Sequence, residues 1–98
     1  MPGFWKSVNR VAIKAGKHAL KEFLFQGSSV SAKKQVEAAF ESAGYEIIKQ
    51  AYDESTEAQQ FFASISLDFP DSDAEVAAFI DDLSDTQAAQ LAAFFKDE

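Results

Sequence analysis

The stretch Gln60-Phe61-Phe62-Ala63-Ser64-Ile65-Ser66-Leu67-Asp68-Phe69 decides whether this fold contains a β-sheet. Apolar residues occupy the odd positions from 61 to 69, and most of the residues between them are polar, which is the period of a half-buried strand. A helical pattern also fits, because it places Ala58, Phe61, Phe62, Ile65 and Phe69 on one face. The unbroken alternation and the aromatic, β-favouring composition favour a strand.

A strand needs a partner, and the segment Tyr45–Tyr52 is the available candidate. The polar residues Asp53–Glu57 would then connect the two strands of an antiparallel hairpin. A two-stranded hairpin is only marginally stable and leaves an unpaired edge. We therefore expect the domain to dimerise, or to meet a partner, at the edge of the 61–69 strand.

Helical patterns flank this region on both sides. Ser31–Ala43 has an apolar face and is followed by Gly44, which suits a left-handed helix cap. After Pro70, the spacing of Ser72 and Glu75 and that of Ser84 and Gln87 resemble capping boxes at the starts of two short helices. The apolar faces of the three helices are, in order, Val36, Ala39, Phe40 and Ala43; Val76, Phe79, Ile80 and Leu83; and Ala88, Leu91, Ala92 and Phe95. The predicted fold is a small single α+β domain of order ααββαα, with an all-α helical bundle as the alternative.

The first 25 residues carry only basic charges up to Glu22. At 100° per residue, the basic side chains fall within less than a quarter of a helical wheel, opposite Trp5, Val8 and Ala12. This pattern predicts a strongly amphipathic helix of about six turns. Residues 1–26 would form this basic helix and residues 27–98 a compact acidic α+β domain, with a linker at 26–29.

The charge is divided unevenly along the chain. The net charge is −7, but the segment from Asp53 to Glu98 holds twelve acidic residues and a single lysine, Lys96. Such asymmetry bears on partners rather than on fold. The basic helix could dock on the acidic half of its own chain, on a protein partner, or on an anionic membrane surface, whereas a pI of about 4.6 makes nucleic acid a poor partner. The predicted partner-binding residues are Phe4, Trp5, Lys6, Arg10, Lys14, Lys17 and Lys21.

Catalytic and metal-binding signatures are weak. The chain has no cysteine, and its one histidine, His18, has no orienting carboxylate in the preceding turn. The acidic residues around Pro70 suit helix capping better than an EF-hand, because no glycine follows Gly44. We therefore expect no enzyme activity, cofactor or metal.

The expected function is a non-enzymatic protein-interaction or regulatory module that binds a protein partner through the basic helix. The alternative is a peripheral protein of membranes or other anionic surfaces that uses the same helix. Charges interrupt the N-terminal segment every three or four residues, so no run approaches the ~20 apolar residues of a membrane span. The expected location is the cytoplasm.

Overall fold

The computed structural model of the chain describes residues 4–17 and 31–96. In these two ranges the chain forms six α-helices and one 3-10 helix, and it contains no strand. The α-helices are α1 Phe4–Lys14, α2 Ala32–Ala43, α3 Tyr45–Glu54, α4 Thr56–Ser64, α5 Val76–Asp81 and α6 Asp85–Lys96, and the 3-10 helix Asp73–Glu75 leads into α5. The predicted α+β fold is therefore wrong, and the described residues form the all-helical alternative. Predictions made for His18, Lys21 and the 26–29 linker lie outside the described residues.

Residues 45–69 contain two helices where a hairpin was predicted. Helix α3 starts directly after Gly44, whose φ of 91° turns the chain sharply away from α2. Only Ser55 separates α3 from α4, and its hydroxyl accepts a hydrogen bond of 3.0 Å from the backbone N–H of Ala58. The proposed hairpin connection, Asp53–Glu57, is thus the end of one helix and the capped start of the next.

The alternation that suggested a strand spans the end of a helix. Phe61 and Phe62 lie in the last turns of α4, where Phe62 is fully buried and Phe61 half-buried. Leu67 and Phe69 follow in a non-helical segment, and both pack against the core. The period-two pattern therefore combines residues in the last turns of α4 with a short non-helical segment whose apolar side chains pack against the core.

A Schellman motif ends α4 at Ser66. The backbone N–H of Leu67 donates to the carbonyl of Phe62 at 2.9 Å, and that of Ser66 to the carbonyl of Ala63 at 3.1 Å. This arrangement needs a left-handed residue, which is usually glycine. Here Ser66 takes that conformation, with φ 59°.

The predicted dimer contact at a strand edge has no structural basis in residues 61–69. Helix α4 satisfies its own backbone hydrogen bonds, so it presents no row of free N–H and C=O groups to a second chain. Any self-association of the domain must therefore use side-chain surfaces and not the pairing of strand edges.

Helix α1 is half the predicted length. The backbone N–H of Lys17 donates to the carbonyl of Ala12 at 2.9 Å and that of Gly16 to Ile13 at 3.0 Å, a second Schellman motif. Gly16 has φ 88°, and a Cβ built there would meet nothing within 4 Å. Glycine is therefore needed at position 16 for its backbone conformation and not for close packing.

One hydrophobic core joins all six helices. Helix α2 packs mainly against α6, and α1 packs against α3 and α6. Aromatic rings fill the centre: Phe40 lies 6.1 to 6.3 Å, between ring centroids, from Phe69, Phe79 and Phe95. These contacts tie α2 to the segment after α4, to α5 and to α6.

One of the two predicted capping boxes is present, and Ser31 also caps a helix. Ser31 accepts a hydrogen bond from the backbone N–H of Lys34, and the Ser84–Gln87 capping box is confirmed by reciprocal bonds of 3.0 Å. The Ser72 side chain makes no capping bond, because the residues after it form a 3-10 turn before α5 begins. The helical faces predicted for α2 and α6 are buried as expected.

Candidate interaction surfaces

Helix α1 presents three cations in a row to solvent. Lys6, Arg10 and Lys14 are all exposed and follow one another at four-residue intervals, which places them along one side of the helix. Like charges at this spacing destabilise a helix by about 0.2–0.5 kcal/mol for each pair. Within residues 4–17 and 31–96, none of the three forms an ion pair. No ion pair therefore ties the row to the rest of the described fold.

Ile13 lies among these cations. It is 56% exposed, and it is the one large hydrophobic side chain exposed in the described part of the chain. It follows Arg10 by three residues and Lys6 by seven, so it shares their side of α1. We call Lys6, Arg10, Ile13 and Lys14 the basic stripe.

The aromatic residues predicted to bind a partner instead anchor α1. Phe4 and Trp5 are each only 5% exposed. The Phe4 ring stacks on Phe94 and Phe95 of α6, with centroids 5.2 and 5.4 Å apart. Val8, Val11 and Ala12 complete the buried face. The apolar side of α1 is therefore occupied by its own domain.

Lys17 stands apart from the basic stripe. It follows the end of α1, and its Nζ donates to the carbonyl of Ala43 at 3.3 Å. Ala43 is the last residue of α2, where backbone carbonyls lack helical partners and a cation is favoured by the helix dipole. Lys33 makes the equivalent contact at the end of α5, where its Nζ donates to the carbonyl of Asp81 at 3.0 Å.

A groove of about 790 Å³ opens between the segment after α4 and helix α5. Leu67, Phe69 and Phe79 form its apolar floor, and each of these side chains is half-buried. Phe69 and Phe79 are fixed from below by Phe62, with centroids 5.5 and 6.3 Å away. The floor is thus preformed and does not need to reorganise to receive a ligand.

Carboxylates surround this floor. Asp68, Asp71, Glu75 and Asp82 line the groove and are all exposed, and none of its described lining residues is basic. None of the four forms an ion pair among the described residues. We call this feature, floor and rim together, the acidic groove.

A second, smaller groove of about 410 Å³ lies on the opposite side of α5. Its floor includes Phe40, Val76 and Ile80, and Glu37, Glu41 and Asp73 stand around it. Its carboxylates extend the negative surface, so negative charge lies on both sides of α5.

Tyr45 joins the two grooves. It lines the smaller one, and its hydroxyl donates to the carbonyl of Pro70 in the wall of the larger one at 2.8 Å. Partial burial raises the pKa of Tyr45 above its ordinary value of 10.0. One turn away, the hydrogen bond to Asp53 raises the pKa of the exposed Lys49 ammonium.

No three His, Asp or Glu side chains converge closely enough to hold a metal ion within residues 4–17 and 31–96. The groove carboxylates are therefore spread around a rim instead of gathered at a point. In the same residues, no helix has the length and apolar character that crossing the bilayer requires.

Comparison of the chain with models of known protein families, with curated proteins and with solved structures found no match. A function for the chain is therefore inferred from its two charged surfaces.

Sequence reasoning located the cations of the stripe but missed the apolar residue at its edge. Ile13 falls between Lys6 and Asn9 on the helical wheel, at roughly 340° from Lys6 taken as zero, so the signal was available. The acidic groove had a weaker signal. The carboxylates around Pro70 also fit helix capping, and Leu67 and Phe69 also fit a strand, so neither pattern indicates the concave surface between them.

Proposed function

We propose that this domain is a non-enzymatic protein-interaction module that binds an acidic surface of a protein partner through the basic stripe of α1. The exposure of Ile13 beside three cations that form no ion pair among the described residues carries the proposal. Protein interfaces commonly combine a central apolar contact with a charged rim that steers the partner and fixes its register.

The packing of α1 supports a preformed binding surface. Phe4 and Trp5 hold the helix against α3 and α6, so the stripe is presented from a rigid element and little conformational freedom is lost on binding. This differs from the expectation that the aromatic residues themselves contact the partner. In the revised proposal Phe4 and Trp5 position the stripe, Lys6, Arg10, Ile13 and Lys14 make the contact, and Lys17 caps α2.

An anionic membrane is the less favoured partner, because the aromatic side chains that would enter a lipid surface are buried. The exposed side of α1 offers one isoleucine for insertion, which buries little apolar area. A cytoplasmic location remains part of the proposal and rests on the even spread of charge through residues 6–21.

Site-specific photo-crosslinking tests the proposal. A benzoylphenylalanine placed at position 13 should crosslink to a protein in cells of the source organism, and the same probe at exposed Glu57 on α4 should not. Combining the position-13 probe with Lys6→Glu, Arg10→Glu and Lys14→Glu should abolish the crosslink.

Two outcomes would contradict the proposal. One is a crosslink that is equal at positions 13 and 57 or that survives charge reversal. The other is a position-13 product that contains only lipid, together with salt-sensitive binding of the intact protein to vesicles of anionic lipid. The second outcome would assign the stripe to a membrane surface.

A further inference from the structure

The acidic groove and the basic stripe are complementary in charge, and each also offers apolar surface. The groove has an apolar floor and four unpaired carboxylates, whereas the stripe has one exposed isoleucine and three unpaired cations. We propose that the acidic groove of one copy of this chain receives the basic stripe of a second copy. The inference rests on the proposed function, because it names the acidic partner surface of the same stripe.

The two surfaces belong to different parts of one copy. Helix α1 packs on α3 and α6, whereas the groove is built from α5 and the segment that follows α4. No ion pair joins α1 to the acidic half of the chain in residues 4–17 and 31–96. Since α1 is fixed in the core through Phe4 and Trp5, its stripe can reach a groove only on another molecule.

The groove suits an isoleucine flanked by cations. The half-buried Leu67, Phe69 and Phe79 offer apolar surface that would be removed from water by the Ile13 side chain. Lys6, Arg10 and Lys14 extend from α1 beside Ile13, where they can meet carboxylates of the groove rim. If each copy inserts its stripe into the other's groove, the contact closes as a symmetric dimer, and otherwise it propagates as a chain.

Long-range repulsion opposes this contact, because each copy carries a net charge of −7. Salt screening distinguishes repulsion between whole molecules from attraction between ion pairs in contact. The Debye length is ~10 Å at 0.1 M salt and ~3 Å at 1 M. Repulsion between whole molecules is weakened at 0.1 M, while ion pairs in contact persist. We therefore expect association to be strongest near 0.1 M salt and to fall toward 1 M.

The test uses sedimentation of the full chain and three variants. Stripe reversal is Lys6→Glu, Arg10→Glu and Lys14→Glu, and groove reversal is Asp68→Lys, Asp71→Lys and Glu75→Lys. The matched control is Glu46→Lys, Glu54→Lys and Glu57→Lys, three exposed positions outside both grooves that change the net charge by the same amount as groove reversal. Circular dichroism verifies that each variant is folded.

The wild type and the control should associate reversibly, and each reversal alone should weaken association by at least tenfold. Groove reversal is the sharper variant, because it removes most of the net negative charge. Simple repulsion predicts that it associates more tightly, and docking of the stripe predicts that association is lost. A mixture of the two reversed proteins should regain association, since the charges are then complementary again.

A wild type that stays monomeric at 0.1 mM and 0.1 M salt would overturn the inference, as would groove reversal that associates at least as well as the control. The position-13 crosslink distinguishes this failure from that of the proposed function. A monomeric wild type that still crosslinks to a different protein overturns self-association alone. A monomeric wild type with no stripe-dependent protein crosslink removes both.

Discussion

Ser66 holds a backbone conformation that a side chain disfavours. Its φ of 59° places it in the left-handed region, where a non-glycine residue costs about 1 kcal/mol or more. The Schellman bonds at the end of α4 require that conformation, and the turn directs Leu67 and Phe69 into the floor of the acidic groove. A local strain is thus located at the point where the groove begins.

Ser66→Gly should stabilise the protein by about 0.5–1 kcal/mol, because glycine adopts positive φ without strain while losing somewhat more freedom on folding. Urea unfolding measures the change in the free energy of unfolding. The control is Ala63→Gly, a glycine introduced three residues earlier in helical backbone, which should destabilise by up to about 1 kcal/mol. Equal effects at the two positions would contradict the strain at Ser66.

The Tyr45 hydroxyl fixes the wall between the two grooves. Tyr45→Phe removes its hydrogen bond to the Pro70 carbonyl and should lower the free energy of unfolding by about 1 kcal/mol. Tyr52→Phe is the control within the same aromatic cluster, because the Tyr52 hydroxyl donates no hydrogen bond among the described residues. A larger loss from Tyr52→Phe would disprove the role assigned to the Tyr45 hydroxyl.

The same residue gives a dependence on alkaline pH. Since the folded-state pKa of Tyr45 is raised above 10.0, the unfolded chain loses this proton first as the pH rises. The contribution of Tyr45 to stability is therefore complete below pH 10 and declines above it. The free energy of unfolding should fall less steeply above pH 10 in Tyr45→Phe than in the wild type. Parallel profiles would contradict the shift.

At the scale of elements, α1 is a core helix with one exposed charged side. Trp5 is the only tryptophan in the chain and is 5% exposed, so its fluorescence reports directly on whether α1 is docked. If α1 folds with the other helices, the fluorescence and circular-dichroism unfolding curves should coincide. A fluorescence transition at lower urea concentration would show that α1 detaches from an otherwise folded remainder, as a separate N-terminal helix would.

Removing the anchor should affect stability far more than removing a neighbouring charge. Trp5→Ala should cost about 3–5 kcal/mol, a large part of the 5–15 kcal/mol typical of a domain. The exposed neighbour Lys6→Ala should change stability by no more than about 0.5 kcal/mol. Circular dichroism during urea unfolding measures both, since the fluorescent probe is lost with Trp5. Similar small effects would show that α1 does not contribute to the core.

The sequence predicts the helices whose ends carry strong local signals. Ser31 before α2 and Ser84 with Gln87 before α6 define their starts through side-chain hydrogen bonds, and the buried faces follow with the helical period. Residues 45–69 carried a genuine ambiguity, because nine alternating residues fit a strand as well as a helix end. What decides between them is tertiary: Phe62 and Phe69 reach the same aromatic cluster only if the chain turns at Ser66.

The same limitation applied to the candidate site. Helical spacing was enough to place Lys6, Arg10 and Lys14 on one side of a helix. Helical spacing could not show that Phe4 and Trp5 face α6 and the core. The apolar pattern of a helix is the same whether that face packs on its own domain or binds a partner. The acidic groove needs residues from two segments to come together, and no linear pattern records that.

At the scale of the whole molecule, charges of one sign gather on two surfaces, the basic stripe and the acidic groove. The groove carboxylates repel one another without an ion pair among the described residues, and the stripe cations do the same. Folds tend to tolerate such local costs where a surface serves binding. If the groove binds a cationic surface, neutralising its carboxylates should raise the free energy of unfolding and also weaken association.

Asp68→Asn combined with Asp82→Asn tests this trade between stability and binding. Asp82 caps the C-terminal end of α5, where the helix dipole disfavours a negative charge by about 0.3–1 kcal/mol, and Asp68 stands on the same groove rim. The double variant should gain about 0.5–1 kcal/mol of unfolding free energy at low salt, and the gain should shrink at 1 M salt as screening becomes effective.

The control Asp53→Asn removes the carboxylate paired with Lys49 and should give no gain. Sedimentation of the double variant should show weaker association than the wild type. A double variant that is less stable at low salt, or that is more stable but associates as tightly as the wild type, would mean that the groove carboxylates are not kept for binding a second copy.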